Sequence, residues 1–222
     1  MELAPGALVL DLGCGTAESS IYLVEHYQAK VVAVDLWADP AQNAAKIERR
    51  GHRGSILPMR LDAAQPLPLP EDYFDVILIV NNLNFYGTDI NVVDRIARHL
   101  KPGGVFCSGG ECLNQEFTPE QIANPPEVYN FAGRVWEEDF LTSHSPGWWA
   151  NHIAGSEELE LVSCWELEDG RLFFEEQALL TEPEGYLGLS PKEARELEIR
   201  QIQFGRENRP YMTVYMLVAR RL

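Results

Sequence analysis

Residues 7–17 read ALVLDLGCGTA. Ala7–Leu12 is a short apolar run with a glycine just beyond it, the pattern of a strand buried on both faces. Gly13 and Gly15 let the backbone turn sharply and approach a ligand closely. The next stretch, Glu18–Gln28, sets Ile21, Leu23, Val24 and Tyr27 at mostly helical spacing. The turn therefore opens onto a helix N-terminus with free N–H groups.

The same alternation continues outward. Val31–Val34 is a second apolar run ending at Asp35. Pro40–Arg50 is Ala-rich, carries charges at its end and reads as a helix stopped by Gly51. Ser55–Leu61 is a weaker third strand, and Phe74–Val80 (FDVILIV) is the clearest strand in the chain. Asp89–Leu100 places Ile90, Val93, Ile96, Ala97 and Leu100 on one helical face. KPGG reads as a turn before a fifth strand, Val105–Ser108. Continuous apolar strands alternating with helices imply an α/β fold, a Rossmann-like, doubly wound, mostly parallel sheet covered on both faces.

The second half is less regular. Glu111–Pro146 holds Pro119, Pro125, Pro126 and Pro146 and reads as an inserted region with short helices. Gly147–Ala154, Arg171–Leu180 and Pro191–Phe204 read as helices, and Leu159–Leu167 and Tyr211–Ala219 as strands. No Ser/Gly-rich linker divides the chain, which predicts one domain with an insertion.

The 222 residues include 34 acidic and 18 basic side chains, a formal net charge of −16. The excess is local: residues 111–190 hold 17 acids against Arg134 and Arg171, whereas residues 1–110 hold 13 acids and 9 bases. Nucleic acid is a poor partner for such a chain, because phosphate backbones need clustered Lys and Arg. No apolar run approaches the roughly 20 residues that cross a bilayer, and the N-terminus lacks a secretory pattern. The expectation is a cytoplasmic protein with no membrane partner, its four cysteines reduced. Cys14, Cys107, Cys112 and Cys164 form no CxxC pair, so no metal is expected.

Three positions in the first half carry the chemistry. The first is the loop Asp11-Leu-Gly13-Cys-Gly15-Thr16, which holds neither Lys nor Arg. Glu18 stands where G-x-G-x-x-G would place its last glycine, and a carboxylate there repels a pyrophosphate. The second is Asp35, at a strand end 22 residues after Gly13, where a carboxylate can accept ribose hydroxyls; the alternative is a capping Asp. The third is Asp62-Ala63 after the third strand, able to accept from an exocyclic amine and donate to a ring nitrogen; the alternative is a turn Asp.

Taken together, VLDLGCGT, the VVAVDL strand ending in Asp35, RLDA, FDVILIV and LKPGG make the chain resemble the class I S-adenosylmethionine-dependent methyltransferases, in family order over residues 7–108. The resemblance implies a seven-stranded sheet with an antiparallel last strand and an inserted helical lid. It implies S-adenosyl-L-methionine as cofactor and a small-molecule substrate. It places Asp11, Gly13, Gly15 and Asn81 toward the methionine part, Asp35 at the ribose, and Asp62 and Ala63 at the adenine, with Thr16 and Leu36 also among the cofactor-binding residues. It divides the chain into a cofactor-binding half (1–110), a substrate-side insertion (111–158) and C-terminal strands and helices (159–222). LNFYGTD (83–89), SHSPGWWANH (143–152) and LVARR look more narrowly like a bacterial branch of small-molecule methyltransferases. Two departures stand out. Only six residues precede the first strand, where the family has helices closing the site, so either the start is truncated or 111–146 supplies the cover. Asn84 also stands where relatives carry a His.

The substrate belongs beyond the ends of the fourth and fifth strands. His144 and Tyr86 are the catalytic candidates, His144 because its pKa ordinarily lies near neutrality. Glu111, Trp148 and Trp149 are the substrate candidates, with one Trp facing inward because the two stand about 100° apart on a helix. Cys14 reads as a small packed residue. The acidic stretch can steer a cationic substrate or simply provide a soluble surface. The alternatives are a nicotinamide-dependent oxidoreductase and a non-catalytic S-adenosylmethionine-binding protein.

Overall fold

The computed structural model describes residues 3–123, 142–168 and 212–222, with single positions 170, 190, 192 and 196. Residues 124–141 of the insertion and the expected helix Arg171–Leu180 lie outside the described residues. So does the expected helix Pro191–Phe204, apart from two single positions.

The chain runs β1 (Leu8–Leu12), α1 (Glu18–Tyr27), β2 (Lys30–Asp35), α2 (Pro40–Arg49), β3 (Ile56–Arg60), β4 (Phe74–Val80), a 3-10 turn (Leu83–Tyr86) and α3 (Ile90–Ala97). It continues with β5 (Leu100–Leu113), α4 (Pro119–Ala123), α5 (Pro146–Ala154), β6 (Leu159–Glu166) and β7 (Met212–Arg221). The seven strands form one sheet in the order β3-β2-β1-β4-β5-β7-β6. β1 to β5 pair in parallel, and β7 runs antiparallel to both β5 and β6. The order reverses between β1 and β4. In such sheets the crevice for ligands opens at that switch point, beyond the strands' carboxyl ends.

Local chemistry fixes the elements. Asp39 caps α2 by accepting from the Ala41 N–H at 2.9 Å, with Pro40 next in the first turn. Asp89 caps α3 through the Asn91 N–H, and Ser145 caps α5 through the Trp148 N–H. Helix α1 differs: Ala17, at φ 63°, stands before it with no side-chain cap. The glycine loop leads directly into it.

Strand alternation sorts the core into two layers. Leu10, Leu12, Val34, Ile77, Ile79 and Phe106 face α3 and α5, while Val9, Val31, Ala33 and Val76 face α1 and α2. The same alternation puts Asp11 and Asp35 on the α1/α2 face, at the carboxyl edge.

One expectation fails. KPGG is not a turn ahead of the fifth strand. Phe74 pairs with Leu100 and Val76 with Val105, so KPGG is a bulge inside β5, with Gly103 at φ 76°. The strand also runs beyond Ser108 to Leu113, because β7 pairs with it through Met212. Phe106 is fully buried. Phe106→Ala is expected to destabilise the protein by about 3–5 kcal/mol. Tyr22→Ala, on an exposed ring, should change stability by less than about 0.5 kcal/mol. Urea unfolding of both variants checks this.

Candidate functional site

The loop after β1 is built on backbone bonds. The N–H groups of Gly13 and Cys14 both donate to Val34 O, at 2.8 and 3.0 Å. Gly13 takes φ 73°, and a Cβ there would stand 2.3 Å from Asn82 Cγ. Glycine is therefore required for the close approach. Asn82 Nδ2 donates to Gly13 O at 2.8 Å, tying the loop after β4 to the loop after β1.

Asp35 Oδ2 accepts the Gly15 N–H at 2.9 Å, and Oδ1 accepts the Trp37 and Ala38 N–H groups at 2.8 Å each. A carboxylate offers about four lone-pair sites, so three are in use. The expectation that Asp35 takes both hydroxyls of a ribose therefore narrows to one free acceptor position.

Asp11 is buried and accepts from the Ser19 and Ser20 hydroxyls at 2.6 Å each. Burial pushes its pKa above the usual carboxylate value, the two serines oppose the shift, and Asp35 adds to it. Its role is thus to hold the first turn of α1 over the loop. Burial, then Asp11 and Asp35, also raise the Cys14 thiol. That suits a packed residue and not a nucleophile.

Thr16 Oγ1 accepts from Lys46 Nζ at 3.4 Å, and Lys46 is ion-paired with Glu18. The loop contains no Lys of its own, yet α2 delivers one beside it, and Glu18 faces that charge. Leu36 is exposed, Ala63 is buried, and Asp62 Oδ1 accepts the Ala64 N–H at 2.9 Å as a turn Asp does.

Tyr86 joins these groups. Its hydroxyl is buried with no hydrogen-bond partner. Burial, then Asp35, Asp11, Cys14 and Asp62 in that order, hold its proton on. A phenol normally finds a partner when buried. Here an unpartnered donor lies within electrostatic reach of three carboxylates from three different strand ends. Above it Phe85 meets Trp37 edge-on at 6.2 Å, both rings exposed.

The ends of β4 and β5 are buckled together. Asn81, at φ 58°, donates its N–H to Gly109 O at 2.7 Å and accepts the Glu111 N–H on Oδ1 at 2.9 Å. Burial lifts the Glu111 carboxyl to about 7.

Farther along this edge, His144 Nδ1 lies 2.8 Å from Glu116 Oε2, and Glu116 Oε1 takes the Ser145 N–H and hydroxyl at 2.7 Å each. Burial raises the Glu116 pKa, but the Ser145 and His144 bonds outweigh it and the net shift is downward. An ionised Glu116 can only accept, so Nδ1 carries the proton that points at it, and in the neutral ring Nε2 is the nitrogen with the lone pair. The His144 ring stacks on Trp148 at 3.6 Å, and Trp148 stacks on His152 at 4.6 Å. Trp149 is 1% exposed and stacks toward Tyr215. Of the two expected substrate tryptophans, Trp149 therefore belongs to the core.

Ser19, Ser20, Lys46, Asn82 and Glu116 were not singled out by the sequence. Among the described residues no three metal-ligating side chains come together, and no helix is long and apolar enough to cross a membrane.

The residues gathered at the carboxyl edge fit an S-adenosyl group. Carboxylates suit its sulfonium, amine and ribose hydroxyls, and the unpartnered Tyr86 hydroxyl marks a place where a polar ligand atom is wanted.

The profile of a family described as a methyltransferase domain matches residues 9–104. The fatty-acid O-methyltransferase of Mycolicibacterium smegmatis is 32% identical over 102 residues, 46% of this chain and 36% of that protein. The demethylmenaquinone methyltransferase of Lysinibacillus sphaericus is 31% identical over 134 residues, 59% of this chain and 53% of that protein. The chain thus spans about half the length of these relatives or less. Geranyl diphosphate C-methyltransferase from Streptomyces coelicolor, solved with Mg2+, geranyl diphosphate and S-adenosyl-L-homocysteine, shares the fold at a TM-score of 0.68 and 15% identity. That match covers 100% of this chain and 74% of the other.

Glu116→Gln should release the His144 tautomer. In 15N spectra of the imidazoles, His144 is expected as the Nδ1–H form in the wild type and as a mixture in the variant. Identical spectra would remove Glu116 as its positioning residue.

Proposed function

We propose that the chain is a class I S-adenosylmethionine-dependent methyltransferase, a reading that its methyltransferase-domain match over residues 9–104 and its methyltransferase relatives support, and that it transfers a methyl group to a nucleophilic atom of a small molecule. The observation that carries this reading is the Tyr86 hydroxyl, buried without a partner in the loop after β4 and within electrostatic reach of Asp35, Asp11 and Asp62. S-adenosylmethionine supplies a methyl group already activated on a sulfonium. Every other part of the work falls to binding and positioning.

Residues 1–110 are the half that holds the cofactor. Asp35 offers its remaining lone pair to a ribose hydroxyl, and Leu36 lies beside it in sequence. The Gly13 and Gly15 backbone lines the approach, with Thr16 at the mouth of α1. Asp62 and Ala63 take the adenine edge. Asn81 and Tyr86 close the site from the loop after β4. On the substrate side His144, held by Glu116 and Trp148, can take a proton through Nε2 if the nucleophile starts protonated. The four free thiols suit a reducing, cytoplasmic compartment.

A nicotinamide dinucleotide fits less well. Glu18 stands at the helix start in place of a glycine, and Lys46 is already engaged there.

Calorimetry tests the reading. S-adenosylhomocysteine is expected to bind and NAD is not. Asp35→Ala should weaken the binding by on the order of 1.5–3 kcal/mol, the value of a hydrogen bond to a charged group. It should also lower the melting temperature, because three backbone N–H groups lose their acceptor. Tight NAD binding, or no binding of S-adenosylhomocysteine to the wild type, would sink the reading.

A further inference from the structure

Two large aromatic side chains stand open at the carboxyl edge without serving the core. Trp37 is 61% exposed and Phe85 is 50% exposed, and neither belongs to either core layer. Leu36, next to Trp37 in the chain, is exposed as well. Single exposed apolar residues need no explanation, but a group in contact and rimmed by polar residues marks a binding surface.

Topology puts the pair over the crevice. β1 lies between β2 and β4 in the sheet, so the ends of β2 and β4 are two strand spacings apart, roughly 10 Å. The glycine turn lies between them. Trp37 comes from the loop after β2 and Phe85 from the loop after β4. Their rings meet edge to face, with centroids 6.2 Å apart and planes at 84°. The pair therefore spans the end of β1. Both loops are fixed. The Trp37 N–H donates to Asp35 Oδ1 at 2.8 Å, and the Phe85 N–H donates to Asn82 O at 3.0 Å. Asn82 is itself tied to Gly13 O, and Leu83 of the same turn is buried. Held backbone thus presents apolar rings to water, a preorganised surface that an apolar ligand would cover.

The same turn points to a ligand a second time. Tyr86 follows Phe85, and its hydroxyl is buried with no hydrogen-bond partner. The turn offers an unsatisfied donor within and an uncovered ring at the mouth. On the methyl-transfer reading the cofactor fills the inner place, and its methyl acceptor arrives at the mouth.

Ring geometry selects the shape of that acceptor. Two rings at 84° make a corner. A third flat ring can lie offset on the face of one while meeting the other edge-on, the two arrangements that aromatic pairs favour. A saturated body of the same size is puckered and forms neither. We propose that Trp37 and Phe85 are specificity-determining residues, and that the methyl acceptor is a flat aromatic small molecule seated in their corner. The inference rests on the methyl-transfer reading for the identity of the crevice beneath.

Two measurements test it, both on protein saturated with S-adenosylhomocysteine. The first titrates the wild type with 2-naphthol or with its saturated counterpart, 2-decalol. In 15N spectra the Trp37 indole N–H, identified by its absence in Trp37→Phe, is expected to move with 2-naphthol and to stay with 2-decalol. An indole that stays with 2-naphthol, or moves equally with both, overturns the proposal. The second uses Phe85→Leu, which keeps an apolar side chain and removes the flat ring. Calorimetry is expected to show 2-naphthol bound about tenfold more weakly by the variant, with S-adenosylhomocysteine bound as in the wild type. Undiminished 2-naphthol binding overturns the proposal. So does a loss of S-adenosylhomocysteine affinity in Phe85→Leu, which would give the rings to the cofactor. Failure of S-adenosylhomocysteine to bind the wild type would instead count against the methyl-transfer reading.

Discussion

One carboxylate organises the carboxyl edge of the sheet. Asp35 ends β2 and accepts N–H groups from Gly15, Trp37 and Ala38. It therefore fixes two loops at once, the glycine turn after β1 and the chain leaving β2. Without it those N–H groups would lose their acceptor, and α1, which has no side-chain cap of its own, would lose the turn that starts it. Asp11 depends on the same geometry, because its serine partners sit in the first turn of α1. The cost is that two neighbouring acids are brought together in a dry place. Asp35 contributes to holding the Asp11 proton on. Acids crowded in this way suit a cationic ligand, which relieves the strain that their mutual repulsion imposes.

The second constraint is strand length. β4 stops at Val80, whereas β5 continues to Leu113. The step between them divides the edge into a region over β1 and β2, rich in backbone donors and carboxylates, and a region over the β5 extension, where Glu111 and His144 arrive. The Leu113 N–H donates to His144 O at 3.2 Å, so the segment before α5 is pinned to the extension. Glu116 completes that attachment by holding both His144 and Ser145. Charge follows the same division, since the acidic surplus of the sequence begins at Glu111.

The fold was legible because its strands are buried on both faces. ALVLDL, VVAV and FDVILIV are continuous apolar runs, and such runs with helices between them admit few other arrangements. The two errors at β5 both come from distant pairing. KPGG has the composition of a turn, but Leu100 ahead of it already pairs with Phe74 of β4; Gly109-Gly110 has that of a strand end, but β7, more than 100 residues away, pairs with it. Local composition does not report such a partner. At the site, Asp35 and the glycine loop were legible because spacing and strand ends define them. Glu116 and His144 lie 28 residues apart, and no periodicity links them. The Trp148–Trp149 pair shows the boundary well. The helical angle says that one ring turns inward, but only packing against Tyr215 says that Trp149 is the one in the core.

Amide hydrogen exchange with and without S-adenosylhomocysteine tests the central claim most directly, that the loops tied by Asp35 and faced by Tyr86 form one cofactor crevice. Slower exchange is expected together at residues 13–17, 36–38 and 82–86, with the edge strand β3 and strand β6 unchanged. Protection absent from those three loops, or found at β6 in their place, would contradict it.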